Sequence, residues 1–236
     1  MPEVTMLTSV VFGFLLGLEH ALDADHIVAV TTIVSRSRSL LRAALVGLSW
    51  GIGHTITLFA VGFGVLVLKL TIPDWLALSM EFVVGVILVI LGVFVVKGLV
   101  AARAHVHEHR HGDERLVHSH SHKETLEHKH RHIGKSLLIG MVHGLAGSGV
   151  ITVLVLSSMS SVVQGLFFFL LFGIGSILGM LIFSGLIGLP FKFTARFSLR
   201  LNFWFQGTAG LVSIVLGFFI MWQTGFVAGL FFTVAR

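Results

Sequence analysis

Six apolar stretches, each about as long as a helix needs to cross a bilayer, constrain this chain more than anything else in it. They run Val4–Val34, Ala43–Leu68, Trp75–Leu99, Ser136–Leu156, Val163–Leu189 and Trp204–Val234. Hydrophobic residues make up 55% of the sequence and charged residues only 11%, against roughly 25% charged in soluble domains. The expected fold is therefore all-α, a polytopic membrane helix bundle. Met1 to Met6 carry no basic n-region and no A-x-A site follows, so the first apolar run is expected to be a retained span and not a cleaved signal.

Within the first run, Glu19-His20-Ala21-Leu22-Asp23-Ala24-Asp25-His26 places five ionisable side chains where the flanks carry none. Such groups at bilayer depth cost at least a few kcal/mol each, and they mark pairs, ligand sites or polar paths. A straight helix over Val4–Val34 would also reach roughly 46 Å against a core of about 30 Å. Such a segment is expected to tilt strongly, break or continue beyond the membrane, and the polar motif in its middle favours a break near Ala24. On an unbroken helix Glu19, His20, Asp23 and His26 share one arc of about 120°, with Asp25 on another face. Imidazole nitrogen and carboxylate oxygen suit divalent transition ions. Asp25 is expected either to orient a ligating His from behind or to ligate directly where the helix bends. The chain has no cysteine, which excludes thiolate sites, disulfides and iron–sulfur clusters.

The two halves share three landmarks in the same order. Leu15-Leu16-Gly17 aligns with Leu138-Ile139-Gly140, Trp50-Gly51-Ile52-Gly53 with Phe172-Gly173-Ile174-Gly175, and Leu91-Gly92 with Leu216-Gly217, at offsets of 122 to 125 residues read directly from the sequence. Two three-span repeats follow, the second inverted, with a substrate site expected near the midplane at interrupted helices. Residues 1–100 form the first repeat, 101–134 a loop and 135–236 the second repeat. The counterpart of the polar motif is His143-Gly144-Leu145-Ala146-Gly147-Ser148-Gly149, whose glycines disfavour helix by about 1 kcal/mol each. His54 and His143 fall at repeat landmarks. His54 joins His20, Asp23, Asp25 and His26 as a candidate metal ligand, while Glu19, Glu81, His143 and Ser148 are assigned to a candidate transport path. Small-xxx-small spacings at Gly13/Gly17, Gly47/Gly51, Gly140/Gly144 and Gly175/Gly179 point to close helix packing.

Between the halves, His105, His107, His109, His111, His118, His120, His122, His128, His130 and His132 crowd a polar stretch with almost no apolar content. Its composition suits an auxiliary metal-binding loop. Of the 16 Lys and Arg residues, all but Lys69 and Arg236 lie in alternate loops. The positive-inside rule puts those loops, the His-rich one included, in the cytoplasm and both termini outside. Short loops of this kind set topology and give no reason to expect nucleic acid, so the expected partners are a divalent ion and the bilayer.

His20-Ala21-Leu22-Asp23-Ala24-Asp25-His26-Ile27 resembles the H-x4-D-H signature of the nickel/cobalt transporter family, and Leu48 to Thr55 is similar to that family's second His-bearing motif. The likeness covers the first two spans. It implies a permease for Ni²⁺ or Co²⁺ in the cytoplasmic membrane of a prokaryote, with His20, Asp25, His26 and His54 as key residues, no resident cofactor and no enzymatic step. The sequence departs from the best-known members at Glu19, where they carry a basic residue, and in its smaller number of spans. Where those members carry a second-half motif with Asp and Thr, His143-Gly144-Leu145-Ala146-Gly147-Ser148-Gly149 stands instead, and that pattern looks more like the shorter urease-accessory or nickel-efflux relatives. Two alternatives belong to other classes: an intramembrane zinc-dependent hydrolase, against which stands the absence of H-E-x-x-H, and an accessory protein that hands nickel to a metalloenzyme. No Walker A pattern occurs.

Overall fold

A computed structural model describes residues 6–37, 39–104, 109–111, 114–116, 134–146 and 161–233. The first apolar run folds as two helices, α1 Met6–His20 and α2 Ala24–Val34. The chain leaves α1 through bonds one residue tighter than the α-helical pattern, with the Leu22 and Asp23 amides donating to the Glu19 and His20 carbonyls at 2.8 and 3.1 Å. Asp23 then adopts an extended conformation (φ −56°, ψ 143°) and α2 begins. The break expected near Ala24 thus lies at residues 21–23, and the single helical arc proposed for the motif does not exist.

Long helices follow: α3 Leu40–Leu66 and α4 Asp74–Ala104. A short antiparallel pair, β1 His109–His111 with β2 Glu114–Leu116, is the one departure from all-helical structure among the described residues. Residues 134–146 form α5. Then come α6 Val162–Phe197, α7 Leu199–Trp222, a π-helical turn at Gln223–Val227 and α8 Leu230–Thr233. Four described segments are long and apolar enough to cross a membrane: α3, most of α4, α6, and α7 with its continuation, while α1 and α2 are shorter apolar helices. The fourth expected span, Ser136–Leu156, is described only as far as residue 146.

The basic loop expected around Lys192, Arg196 and Arg200 is absent. The helix α6 runs through Pro190 to Phe197, and α7 starts after Ser198 alone. Ser198 serves both helices: its amide donates to the Thr194 carbonyl at 2.9 Å, and its hydroxyl accepts from the Leu201 amide at 3.2 Å. Asn202 ties the corner by donating to the Phe191 carbonyl at 3.1 Å and the Thr194 hydroxyl at 2.9 Å.

The helices meet backbone to backbone at small residues, the arrangement open to apolar helices with no hydrophobic force between them in lipid. A Cβ built on Gly85 stands 2.8 Å from the Gly217 carbonyl oxygen, and one on Gly217 stands 2.6 Å from that of Gly85. Gly92 and Gly210 face each other in the same way, so α4 and α7 run antiparallel with no side chain between them at these points. Gly17 abuts the Phe172 carbonyl as Gly140 abuts that of Trp50, and Gly175 abuts the Phe14 carbonyl as Gly53 abuts that of Leu137. Each contact becomes its counterpart when the sequence offset of 122 to 125 residues is applied. Gly13 against Phe168 with Gly17 against Phe172 sets α1 parallel to α6, Gly140 against Trp50 with Gly144 against His54 sets α5 parallel to α3, and Gly47 against Ser184 with Gly62 against Phe169 sets α3 antiparallel to α6.

Around these seams sits a buried cluster that includes Ala29, Val30, Val34, Ala43, Trp50, Leu88 and Met180. A second is built on Leu58, Phe168, Phe169 and Phe172. Large apolar side chains such as Phe94, Val215, Phe218 and Phe219 face outward. An exposed apolar surface of this extent belongs in lipid, and the protein is an integral membrane protein.

Candidate metal centre

The helix break delivers its histidines to one place. His20 ends α1, His26 lies in the first turns of α2, His54 stands midway along α3 and His143 on α5. His26, His54 and His143 are 1%, 0% and 3% exposed. The Nε2 atoms of His20 and His54 lie 3.1 Å apart. That is hydrogen-bond distance between the two rings, and it is also close to the roughly 3.3 Å that separates two nitrogens bound tetrahedrally at about 2.0–2.1 Å from one ion. Donor atoms of His20, His26 and His54 all lie within 4.8 Å of one another, and those of Asp25, His26 and His143 form a second such group. His26 belongs to both.

Carboxylates sit behind two of the rings. Asp23 Oδ2 is 2.8 Å from His20 Nδ1, and Asp25 Oδ1 is 3.1 Å from His26 Nδ1 while accepting the His26 amide at 2.9 Å. A carboxylate on Nδ1 holds the proton there, turns the Nε2 lone pair outward and raises its basicity, the usual support for a metal-ligating imidazole. His26 Nε2, His54 Nδ1 and Trp50 Nε1 are buried with no hydrogen-bond partner. Leaving a buried donor or acceptor unsatisfied costs about 1–3 kcal/mol. Such orphans are expected where a ligand completes the site.

The geometry redistributes the roles read from sequence. Asp23, expected among the ligands, braces His20 and is half exposed. Asp25 braces His26 and also accepts from His143 Nε2 at 2.8 Å, which draws His143 from the candidate path into the cluster. Glu19 is exposed and outside it. Glu81 instead lines a cavity of about 220 Å³ that Asp25, Gln223 and Thr224 also border. Ser148 lies outside the described residues, as do His105, His107, His118, His120, His122, His128, His130 and His132; of the loop histidines only the backbone of His109 and His111 is described. Trp50, read from the sequence only as a repeat landmark, has its ring centroid 5.4 Å from that of His143 and stands one turn before His54. Nothing in the sequence marked the π turn that carries Gln223 and Thr224.

The chain is 39% identical over 231 residues to the urease accessory protein UreH of Bacillus sp. (strain TB-90), covering 98% of each chain. This chain belongs to the UreH family. It also belongs to the family described as the cytochrome C biogenesis protein transmembrane region, whose model matches residues 66–219. That model is not the nickel/cobalt transporter family, and its match begins after the polar motif and His54. UreH itself is one of the urease-accessory type to which the departures from the transporter signature pointed. No solved structure matches the chain.

Proposed function

We propose that this protein is a membrane permease for a divalent transition-metal ion, nickel before cobalt, and that the ion passes through the imidazole cluster of His20, His26 and His54. The observation that carries the reading is the convergence of three ring nitrogens from three helices at a break in the first, two of them braced by carboxylates. Nickel is favoured by the resemblance of residues 20–27 to the nickel/cobalt transporter signature. A relative named as a urease accessory protein fits an ion destined for a metalloenzyme. Carriage and not hydrolysis fits both that name and a family model described as a transmembrane region.

In this reading residues 1–100 and 135–236 are two inverted repeats with the cluster at their interface. Support comes from the paired glycine contacts and from the opposite directions of α1 and α5. The His-rich loop at 101–134 is cytoplasmic and collects or buffers the ion, both termini lie outside, and the ion is bound as cargo and not as a resident cofactor. The test is ⁶³Ni uptake into proteoliposomes. His26→Ala is expected to cut the rate at least tenfold, and an unchanged rate overturns the assignment. The relative's name also favours a second reading, delivery of nickel through the loop to maturation proteins. Deleting residues 105–132 separates the two, because a permease keeps its flux and a delivery protein loses its effect on the recipient enzyme.

A further inference from the structure

A carboxylate without a partner stands beside the imidazole cluster. Glu81 is half buried in α4 and makes no hydrogen bond or ion pair with any described residue. It borders the 220 Å³ cavity, whose wall is completed by Asp25 from α2, Ala146 from α5, and Gln223 and Thr224 from the π turn. Several waters around an ion fit in such a volume. The π turn is closed by the Ala228 amide donating to the Gln223 carbonyl at 2.8 Å. Such insertions recur at functional sites because they re-aim side chains without ending the helix. Here the turn sets an amide and a hydroxyl opposite two carboxylates.

The equivalent place in the other half has different chemistry. A cavity of about 260 Å³ lies roughly 25 Å away along α4 at a rise of about 1.5 Å per residue. It is bordered by Gln206 where the offset of 125 residues puts the counterpart of Glu81, and by Gly98 and Leu99 where it puts those of Gln223 and Thr224. Among the described residues no carboxylate lines it, and the Arg36 guanidinium does, donating to the Phe94 and Val95 carbonyls. Backbone packing matched in the two halves thus surrounds one cavity that attracts a cation and one that repels it.

We propose that the Glu81 cavity is a second ion station. It takes a divalent cation with part of its water shell on the oxygens of Glu81, Asp25 and Gln223, then passes it across the Asp25–His143 pair to the nitrogen ligands. The order follows from ligand chemistry. Hydrated divalent ions are met first by carboxylate, carbonyl and water oxygens, and imidazole then selects for later transition metals. His26 joins the stations, with Nδ1 toward Asp25 and the unpartnered Nε2 toward the histidine group. This inference rests on the permease reading and adds a binding site to it.

The cysteine-free chain allows a direct test. A single Gln223→Cys, reconstituted at full length, is labelled with a charged thiosulfonate reagent with and without NiCl₂. Ni²⁺ is expected to slow labelling at least fivefold, to do so still when His54→Ala is added, and to lose the effect when Glu81→Ala is added. Labelling indifferent to Ni²⁺, or protection that survives Glu81→Ala, overturns the station. Uptake kinetics give a second measurement on the otherwise native chain: Glu81→Ala raises KM about tenfold and Glu81→Asp restores most of it, whereas equal loss in both variants, or no change in either, counts against it. Protection at position 223 without any nickel flux in the wild type refutes the permease and keeps the station. Flux without protection does the reverse.

Discussion

The cavity at Glu81 and the cavity at Arg36 share three lining positions under the offset of 125 residues, Glu81 with Gln206, Gln223 with Gly98 and Thr224 with Leu99, yet one is rimmed by carboxylates and the other by a guanidinium. Size does not separate them, at about 220 and 260 Å³. Charge does, and within a membrane a single charge of the wrong sign outweighs small differences of shape, because low dielectric and distance from salt leave it poorly screened. The matched glycine contacts thus lie between cavities whose linings differ in charge. At the Arg36 side the guanidinium fills the notch left by Gly98, where any Cβ would fall on it.

Erasing the difference is the severest test. Glu81→Lys gives both cavities a cation and is expected to reduce nickel uptake by about two orders of magnitude, with folding checked by size-exclusion profile in detergent. An uptake loss below threefold would mean that the sign of charge at this end does not matter. Next in size is release of the Arg36 side. Arg36→Ala removes donors to two carbonyls, and it should raise labelling of a single Gln206→Cys about fivefold. Gly98→Ala should do the same to a lesser degree by displacing the guanidinium. The smallest effect is expected from Gln206→Glu, which makes the lining of the two ends more alike: the KM for nickel presented from the Arg36 side should fall about twofold to threefold in vesicles of known orientation. An unchanged value would show that Arg36 alone sets the character of that end.

How much of this was legible depends on whether a feature lives in composition or in packing. Charges inside an apolar run announced a site, and the excess length of Val4–Val34 left tilt, extension or a break as its remedies, of which the helices take the break at residues 21–23. The division of labour between Asp23 and Asp25 was not legible, because a helical wheel presupposes the helix that the motif interrupts. Once the chain turns at Asp23, the carboxylate placed among the ligands swings behind His20. The corner at Ser198 misled for a related reason. Lys192, Arg196 and Arg200 signal water, and hydropathy cannot tell a polar loop from polar helix ends joined by one residue. His143 was visible as a buried histidine, but its bond to Asp25 joins residues on separate helices and becomes visible only once α2 and α5 are placed. The π turn at Gln223–Val227 follows no pattern of residue types, so the wall opposite Glu81 emerged only with the fold.

The facing glycines of α4 and α7 bear on how such a molecule can change over time. Gly85 rests on the carbonyl of Gly217 and Gly217 on that of Gly85, with Gly92 and Gly210 doing likewise. A side chain gained at any one of the four pushes away the helix on which its opposite number depends, so along this seam each half vetoes innovation in the other. The linings of the end cavities answer to no such partner. Change is channelled instead to those linings, where a substitution leaves the frame intact.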